Sequence, residues 1–410
     1  MEAYYVAGID VHKAMLAVVV AEIRPGEWEF QRRRFATTRS QLRELAQWLA
    51  AVGVQEVVME STAQYWRPVW LELEGRFRLH LAQAHSNGAR RGRKSDFRDS
   101  ERLVHRLVAG ELVLSYVPEE EQRGWRWLTR TRYQLLCERT RVHSHIEGLL
   151  EDAQIKLSSV ITDLLGASGR RILEALAHNS GEHDPAALAR LGHAKLRASA
   201  EELRDALDGR WRERHRLLLR LHLDRVQLLD SQIGQLQQQT AGVMQAHAEV
   251  VERLSEIPGI RAEGALQMLA EVGPTAAAFP SPEQLASWVG VCPGQQESAG
   301  HSYSMRSAKG NWQMRRLLNQ AAHAASRAKG SFFESLYRRL APRLGAQKAI
   351  WAVAHRLCRL IWKILHTGAR YCEQGPRISH PKVLRRRQQY IIAEFRKLGF
   401  QVHFTALAQP

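Results

Sequence analysis

The N-terminal part of the chain alternates apolar strand-like segments with helical segments in a characteristic order. Strand patterns, read from period-two alternation or short apolar runs, cover 4–10, 14–20, 28–32, 56–62 and 78–82. An amphipathic helix is predicted over 37–51, where Leu42, Leu45 and Leu49 share one stripe. A further helix is predicted to begin at Asp96 and to run through Leu107. The resulting order, β-β-β-α-β-α-β-α, predicts an α/β domain of the ribonuclease-H-like fold.

Two of these strands end in an acidic residue. Asp10 closes the first strand, and Glu60 lies near the end of the fourth. A carboxylate buried at a strand end is costly unless it is paired or bound to a metal ion. Asp96 and Asp99 share one face of the helix that they open. Alone, that pair is typical of a solvated helix start, but four acids from separate segments predict a site for two divalent cations.

The charge of the chain indicates a polyanionic partner. The formal net charge is +17 and the isoelectric point about 10.2. Basic residues also cluster, which favours nucleic acid over general solubility as the explanation. The clustered residues predicted to contact nucleic acid are Arg90, Arg91, Arg93, Lys94, Arg385, Arg386 and Arg387. A helical segment is predicted to follow a nucleic-acid backbone with Arg123, Arg126, Arg130, Arg132, Arg139 and Arg141.

Cysteine placement and hydropathy exclude several classes of protein. The four cysteines are scattered without a C-x-x-C pair, so the sequence predicts no zinc ribbon and suits a reducing cytoplasm. The segment 1–5 lacks the charged and apolar parts of a signal peptide. No apolar run approaches the roughly 20 residues of a membrane span, so no membrane partner is predicted.

The chain is predicted to be helical from Glu119 onward. Two sets of apolar residues recur every seven positions: Leu219, Val226 and Ile233, and Leu229, Leu236 and Val243. This short seam favours an intermolecular coiled coil, and the alternative is a helix pair within the chain. The segment 254–273 has the pattern of a helix-hairpin-helix, in which turn amides near Gly259 can contact a phosphate. The alternative for that segment is an ordinary helical hairpin.

A glycine-rich loop in the C-terminal half contains a second candidate site. Ser298 lies between Glu297 and small residues, which leaves its hydroxyl open to approach. A serine in such a loop is usually a turn residue, and this one lacks the G-x-S-x-G context of a hydrolase. Lys309, Arg315 and Arg316 follow it and are predicted to contact nucleic acid.

Taken together, these segments resemble the DEDD transposases of bacterial insertion sequences, the group often called the one-ten family. The matching pieces are GIDVHK at 8–13, MEST at 59–62, GRKSDFRD at 92–99, IPGI at 257–260, PG at 293–294 with ESAG at 297–300, and KGN at 309–311. They occur in that family's order and cover nearly the whole chain to about 371. Two positions depart from the family's pattern. Ser100 stands where Ala is more frequent, and His301 stands where Lys is common.

The resemblance implies a fold, a chemistry and partners. The N-terminal domain would be RuvC-like, with Asp10, Glu60, Asp96 and Asp99 binding two Mg²⁺ ions, or Mn²⁺ in their place. Ser298 would attack DNA and form a covalent phosphoserine link, so that recombination proceeds by strand exchange. A noncoding bridge RNA would specify the target and donor DNA. The protein would act as a homodimer that assembles into a homotetramer, in the bacterial cytoplasm and associated with the nucleoid.

Four parts are expected along the chain. A RuvC-like nuclease domain covers 1–117, or extends to about 160 if its last helices are included. A helical, coiled-coil dimerisation region covers 118–250, and an α-helical transposase domain covers 251–375. The basic segment 376–410 forms a tail.

Three other interpretations remain open on the residues alone. A RuvC-like nuclease would cut with metal-activated water and keep Ser298 as a structural residue. A non-catalytic nucleic-acid-binding protein would keep the fold without the reaction, although four intact acids argue against it. An actin-like ATPase can also open with Gly8, Ile9 and Asp10, but the later strands are not followed by glycine-rich phosphate loops.

Overall fold

A computed structural model describes residues 4–25, 27–61, 63–84, 95–178, 184–193, 196–294, 296–298, 301–304, 307–373, 375, 389, 392–393 and 396–397. For 296–298 and 301–304 it describes the backbone. The chain divides into two compact units, Met1–Pro118 and Glu119–Pro410.

The first unit is built on a five-stranded mixed sheet. Its strands are β1 Tyr4–Val11, β2 Met15–Arg24, β3 Glu27–Ala36, β4 Glu56–Glu60 and β5 Arg78–Ala82. The order across the sheet is β3-β2-β1-β4-β5; β1, β2 and β3 are antiparallel, and β4 and β5 run parallel to β1. Its helices are α1 Arg39–Val52, α2 Trp66–Leu73 and α3 Asp96–Val108. The predicted order of elements is confirmed, and the sheet with its helices fits a ribonuclease-H-like domain.

Alternate residues of β1 and β4 enter two different cores, because successive side chains of a strand point to opposite faces. Ile9 packs on the face that α1 and α2 cover. Val6 and Val58 pack on the other face, against side chains of α3. Asp10 and Glu60 are in phase with Val6 and Val58. Both acids therefore belong to the face that α3 covers.

Gly8 allows α3 to approach β1 closely. A Cβ atom at Gly8 would overlap the backbone carbonyl of Ser100 and lie 2.8 Å from a side-chain carbon of Val104. A larger residue at position 8 would therefore push α3 away from the strand that carries Asp10.

The second unit is almost entirely helical. Its helices are α4 Glu120–Asp152, α5 Leu157–Val160, α6 Ala167–His178, α7 Pro185–Ala189, α8 Ala200–Leu207, α9 Glu213–Val243, α10 Ala248–Ser255, α11 Ala262–Val272, α12 Pro282–Val289, α13 Trp312–Ala325, α14 Phe332–Leu344 and α15 Ala346–Thr367, with a 3-10 turn at Gln245–His247. Between α12 and α13 lies an antiparallel hairpin of β6 Gln296–Ser298 and β7 His301–Ser304. The helical character predicted for this half is confirmed.

The long helices α4 and α9 pack against each other within the chain. Leu219, Val226 and Leu229 of α9 share one core with Ile146 and Leu150 of α4. Three of the six residues of the predicted seam are thus covered by a helix of the same chain, the second of the two arrangements that the pattern allowed. A coiled coil between two chains stays a prediction.

Four arginines of α4 form ion pairs inside the second unit. The pairs are Arg126 and Arg130 with Glu271, Arg132 with Glu263, and Arg139 with Asp230. These guanidinium groups join α4 to α9 and α11, in contrast to the prediction that they follow a nucleic-acid backbone. The acidic partners come from segments far away along the chain, so sequence spacing does not reveal them.

Candidate active site

Asp10, His12 and Asp96 form a group at the carboxyl end of β1. His12 Nε2 lies 3.1 Å from Asp10 Oδ2 and 3.6 Å from Asp96 Oδ1. One ligand atom from each of the three side chains falls within 4.8 Å of the other two. Carboxylate and imidazole groups both bind divalent metal ions, so this group can hold one such cation.

A buried serine fixes α3 against β1. Ser100 Oγ accepts a hydrogen bond from the backbone N–H of Asp10 at 3.0 Å and donates one to the Ala17 carbonyl at 2.8 Å. Ser100 lies one helical turn after Asp96, so the same face of α3 carries both residues. The serine therefore helps to set the distance between Asp96 and Asp10.

The other two predicted acids are joined by an arginine. Arg102 Nη1 donates to Asp99 Oδ1 at 2.5 Å, and Arg102 Nη2 lies 3.9 Å from Glu60 Oε2. Among the described residues, Glu60 and Asp99 are not part of the three-residue group around His12. The acids thus form two subsets, one around His12 and one around Arg102.

The site concentrates negative charge in a partly buried place. Burial raises the pKa of the Asp10 carboxyl, the charge of His12 opposes this, and the charges of Asp99 and Asp96 raise the pKa further. Asp99 is therefore close enough to affect Asp10, although Arg102 holds its carboxylate. A bound cation would relieve this repulsion, because an opposite charge favours the ionised carboxylate.

Arginine side chains of the edge strand β3 border the site. Arg34 Nη2 lies 3.8 Å from Asp96 Oδ2, and its guanidinium lies over the Phe97 ring at 5.2 Å from the ring centre. The neighbouring Arg33 lies over Trp48, on the face that α1 covers. The Arg34 side chain is 61 % exposed, so an anion can reach it from solvent.

Two family models match the chain in separate regions. A model of DEDD transposases, described as a transposase, matches residues 7–155, which include all four predicted acids. A second model, described as "Transposase IS116/IS110/IS902 family", matches residues 251–338, which include Ser298. The chain carries the transposase domains of the IS110 family. It is a DNA transposase, an enzyme that cuts and rejoins DNA strands.

No curated protein is significantly similar to the transposase. In the described part of the chain, no helix combines the length and the apolar character needed to cross a bilayer.

The backbone of Ser298 lies at the end of β6, in the second unit of the transposase. It pairs with His301 of β7 across the two-residue connection 299–300. That connection, and the side chains of Ser298 and His301, lie outside the described residues. The four predicted acids belong to the first unit and Ser298 to the second.

Predicted nucleic-acid contacts of the second unit fall into two groups. Arg315 and Arg316 are engaged inside the unit: Arg315 donates to the carbonyls of Gly290 and Ala308, and the Arg316 guanidinium lies 3.9 Å from the Tyr133 ring centre. Lys309 and Gly259 are exposed. The tight turn at Gly259 has a second explanation, because a Cβ there would lie 2.7 Å from a backbone nitrogen of α13.

The remaining predicted contacts lie outside the described residues. They are Arg90, Arg91, Arg93, Lys94, Arg385, Arg386 and Arg387.

Three side chains of the acidic site were not predicted to function there. His12 was visible in the sequence, since it follows Asp10 at the i+2 position and so lies on the same side of an extended segment. Arg34 lies beyond the predicted third strand, which ended at residue 32, whereas β3 continues to Ala36. Arg102 follows Asp99 at the i+3 position of the same helix, so that ion pair was visible in the sequence. Its second partner, Glu60, comes from β4, and sequence spacing does not reveal that contact.

Proposed function

We propose that this transposase cuts and rejoins DNA through a covalent phosphoserine intermediate at Ser298. The supporting observation is the group Asp10, His12 and Asp96, which gathers two acids around the space for one cation, within the region that matches DEDD transposases. Asp10, Glu60, Asp96 and Asp99 are proposed as the metal-binding acids of the reaction.

The acids would act in two pairs. Asp10 and Asp96 would hold one divalent ion together with His12, and Glu60 and Asp99 would hold a second. Bound there, Mg²⁺ or Mn²⁺ would polarise the scissile phosphate and stabilise charge on the leaving oxygen. Arg102 donates to Oδ1 of Asp99, so the other oxygen of that carboxylate would bind the cation while this hydrogen bond persists.

Ser298 supplies the covalent step of the proposed reaction. Its Oγ forms a bond to the phosphorus of a DNA phosphodiester while the bond from phosphorus to the leaving sugar oxygen breaks. The serine loses its proton to a base, and the leaving oxygen takes up one. One phosphodiester replaces another, so the phosphoserine keeps the free energy needed to join a new strand. A hydroxyl of that strand then attacks the phosphoserine and restores the serine.

Arg34 is proposed to contact the scissile phosphate. Its planar guanidinium can donate two parallel hydrogen bonds to phosphate oxygens, a geometry that suits this anion. Contact with Asp96 on one side and Phe97 on the other holds the group beside the acidic site. An incoming phosphate would therefore meet a positive group before it meets the carboxylates.

The proposed partners are target and donor DNA and a noncoding bridge RNA that specifies both. The net charge of +17 supports a nucleic-acid partner of either kind. A homodimer that assembles into a homotetramer is also proposed. In its support, Leu217, Leu221 and Leu228 are exposed along one face of α9. The four-part division of the chain and a cytoplasmic, nucleoid-associated location stay proposals.

Strand cleavage by Ser298→Ala tests the proposed chemistry. The purified protein is incubated in Mg²⁺ with DNA that flanks the element and with the candidate noncoding RNA. We expect wild type to cut and join DNA, and Ser298→Ala to do neither. Ser307→Ala changes another serine of the same loop and should leave activity unchanged. Cleavage by Ser298→Ala at a near wild-type rate would assign the cut to activated water and exclude the phosphoserine.

A further inference from the structure

The loop that carries Ser298 is closed at its base. It leaves α12 and returns to α13, where the backbone N–H of Asn311 donates to the Trp288 carbonyl at 3.1 Å. We call residues 288–290 and 308–311 the neck of this loop. Both ends of the loop therefore meet at one place, next to the start of α13.

Two glycines allow the neck to close. Gly290 and Gly310 have φ values of 78° and 53°, a region that favours glycine. A Cβ atom at Gly290 would lie 2.6 Å from the Ala308 carbonyl oxygen, and one at Gly310 would overlap the carbonyl of Val289. The two backbone segments are in direct contact, so a side chain at either position would separate them.

Arg315 ties the two sides of the neck together. Its Nη1 donates to the Gly290 carbonyl on one side and, at 2.9 Å, to the Ala308 carbonyl on the other. The guanidinium carbon lies 4.7 Å from the centre of the Trp351 ring, which restricts the orientation of the side chain. One guanidinium group thus bridges both ends of the loop.

A buried carboxylate anchors the neck to the helical core. Glu271 is 1 % exposed and makes two hydrogen bonds of 2.7 Å to Arg130. Its Oε2 also accepts a hydrogen bond from the Asn311 side chain at 2.9 Å. The Asn311 oxygen in turn accepts from the backbone N–H of Met314 and caps α13. Asn311 therefore joins the neck, the start of α13 and the buried ion pair.

We propose that Arg315 and Asn311 are positioning residues that hold the Ser298 hairpin in the orientation needed for attack on DNA. The inference rests on the proposed role of Ser298 as nucleophile. Arg315 fixes the two ends of the loop relative to each other, and Asn311 fixes them relative to α4 and α11. This differs from the predicted role of Arg315 as a nucleic-acid contact.

Positioning should affect the rate of the covalent step more than the affinity for DNA. A displacement of a reacting group by about 1 Å can cost roughly 100-fold in rate. Loosening the neck leaves the other basic groups of the protein in place, so DNA binding should change little. A DNA contact would behave in the opposite way, because its loss weakens affinity and leaves the rate at saturating DNA unchanged.

The test uses the full chain with the substitutions Arg315→Met, Arg315→Lys and, as control, Arg327→Met. Met at position 315 keeps the packing on Trp351 but has no N–H group to donate to the two carbonyls. Lys keeps the positive charge but lacks the planar guanidinium with its several N–H donors. Arg327 is exposed just beyond α13. Arg327→Met therefore removes the same positive charge as Arg315→Met without touching the neck. Ser298→Ala is assayed in parallel. The measurements are hydrogen exchange of peptides covering 291–308, the Tm, the Kd for DNA, and the single-turnover rate of covalent adduct formation at saturating DNA.

We expect Arg315→Met to speed exchange in 291–308 and to slow adduct formation about 10- to 100-fold, with the Kd within about twofold of wild type. Arg315→Lys should be intermediate, and Arg327→Met should behave as wild type. A weaker Kd with an unchanged rate, or faster exchange with an unchanged rate, would overturn the positioning role and leave the nucleophile intact. Adduct formation or cleavage by Ser298→Ala would overturn both. If Arg315→Met fails to fold, Arg315→Lys carries the same comparison.

Discussion

The hydroxyl of Ser100 accepts the backbone N–H of Asp10 at 3.0 Å, across 90 positions of sequence. The bond joins α3 to β1 where the candidate metal-binding group forms. Ser100 stands where the resembling family more often has alanine, and the sequence assigned no role to that departure. In the structure it supplies an acceptor for a strand N–H next to the acidic site.

Ser100→Ala should destabilise the first unit, because the N–H of Asp10 loses its buried acceptor. An unsatisfied buried donor costs about 1–3 kcal/mol. The free energy of unfolding, from urea titration of the full chain, should fall by that amount. Ser40→Ala, at an exposed position of α1, should stay within about 0.5 kcal/mol of wild type. Equal stability of the two variants would show that the Ser100 bond contributes little.

Metal binding should be visible in thermal stability. At a free Mg²⁺ or Mn²⁺ concentration of 100 times the Kd, a single site stabilises the folded state by about 2.7 kcal/mol. Asp10→Asn should lose this gain, while Glu44→Gln, on the exposed side of α1, should keep it. Without metal, Asp10→Asn and wild type should compare differently in stability. The raised pKa of Asp10 means that its ionised form costs free energy in the folded protein, so Asp10→Asn should be at least as stable as wild type at neutral pH. A metal-dependent rise in Tm for Asp10→Asn equal to that of wild type would exclude this residue as a ligand.

Two neighbouring arginines of β3 should differ in their effect on catalysis. Arg34 lies beside Asp96, whereas Arg33 lies over Trp48 on the opposite face of the sheet. Arg34→Met should slow single-turnover strand cleavage by roughly 10- to 100-fold. Loss of a donor in a closed site costs about 100-fold or more, and the effect here should be smaller because Arg34 is largely exposed. Arg33→Met removes the same charge and should leave the rate near wild type. Equal rates for the two variants would mean that Arg34 acts only through general charge.

Acid should weaken the second unit through Glu271. Arg130 and Arg126 hold the pKa of this buried carboxyl below its usual value, in spite of the opposing effect of burial. The ionised form is therefore favoured by folding. The ionised Glu271 carboxylate stabilises the folded protein fully above the unfolded pKa of about 4.3. This contribution is lost as pH falls through the lower pKa of the folded state. As the pH is lowered below about 4.3, the urea concentration at the unfolding midpoint should decrease for wild type. It should decrease less for Glu271→Gln, which has no carboxylate to protonate at this position. Parallel curves for the two proteins would contradict this role.

The fold of the first unit could be predicted because local signals and global topology agree there. Apolar runs or period-two alternation mark each of the five strands, and Asp10 and Glu60 stand at or near the ends of two of them. The α3 start at Asp96 followed from the helix-opening acids. The register and the antiparallel or parallel pairing of strands were not predicted, since they depend on contacts between distant segments.

Charge partners were the least predictable part of the structure. An arginine in a helix has the same local pattern whether it meets DNA or a buried acid. Arg130 was assigned to nucleic acid, although it pairs with Glu271, which lies more than 100 positions away. The same limit applies to Arg315, whose acceptors are backbone carbonyls and therefore leave no trace in side-chain patterns.

Mapping the covalent adduct by mass spectrometry tests the central claim most directly. The transposase is incubated with flanking DNA and the candidate RNA in Mg²⁺, quenched, and digested with nuclease and protease. A nucleotide remnant on Ser298 is expected in wild type, and none is expected without divalent metal or in Asp96→Asn. Recombined DNA with no remnant on Ser298, or with the remnant on another residue, would contradict the account.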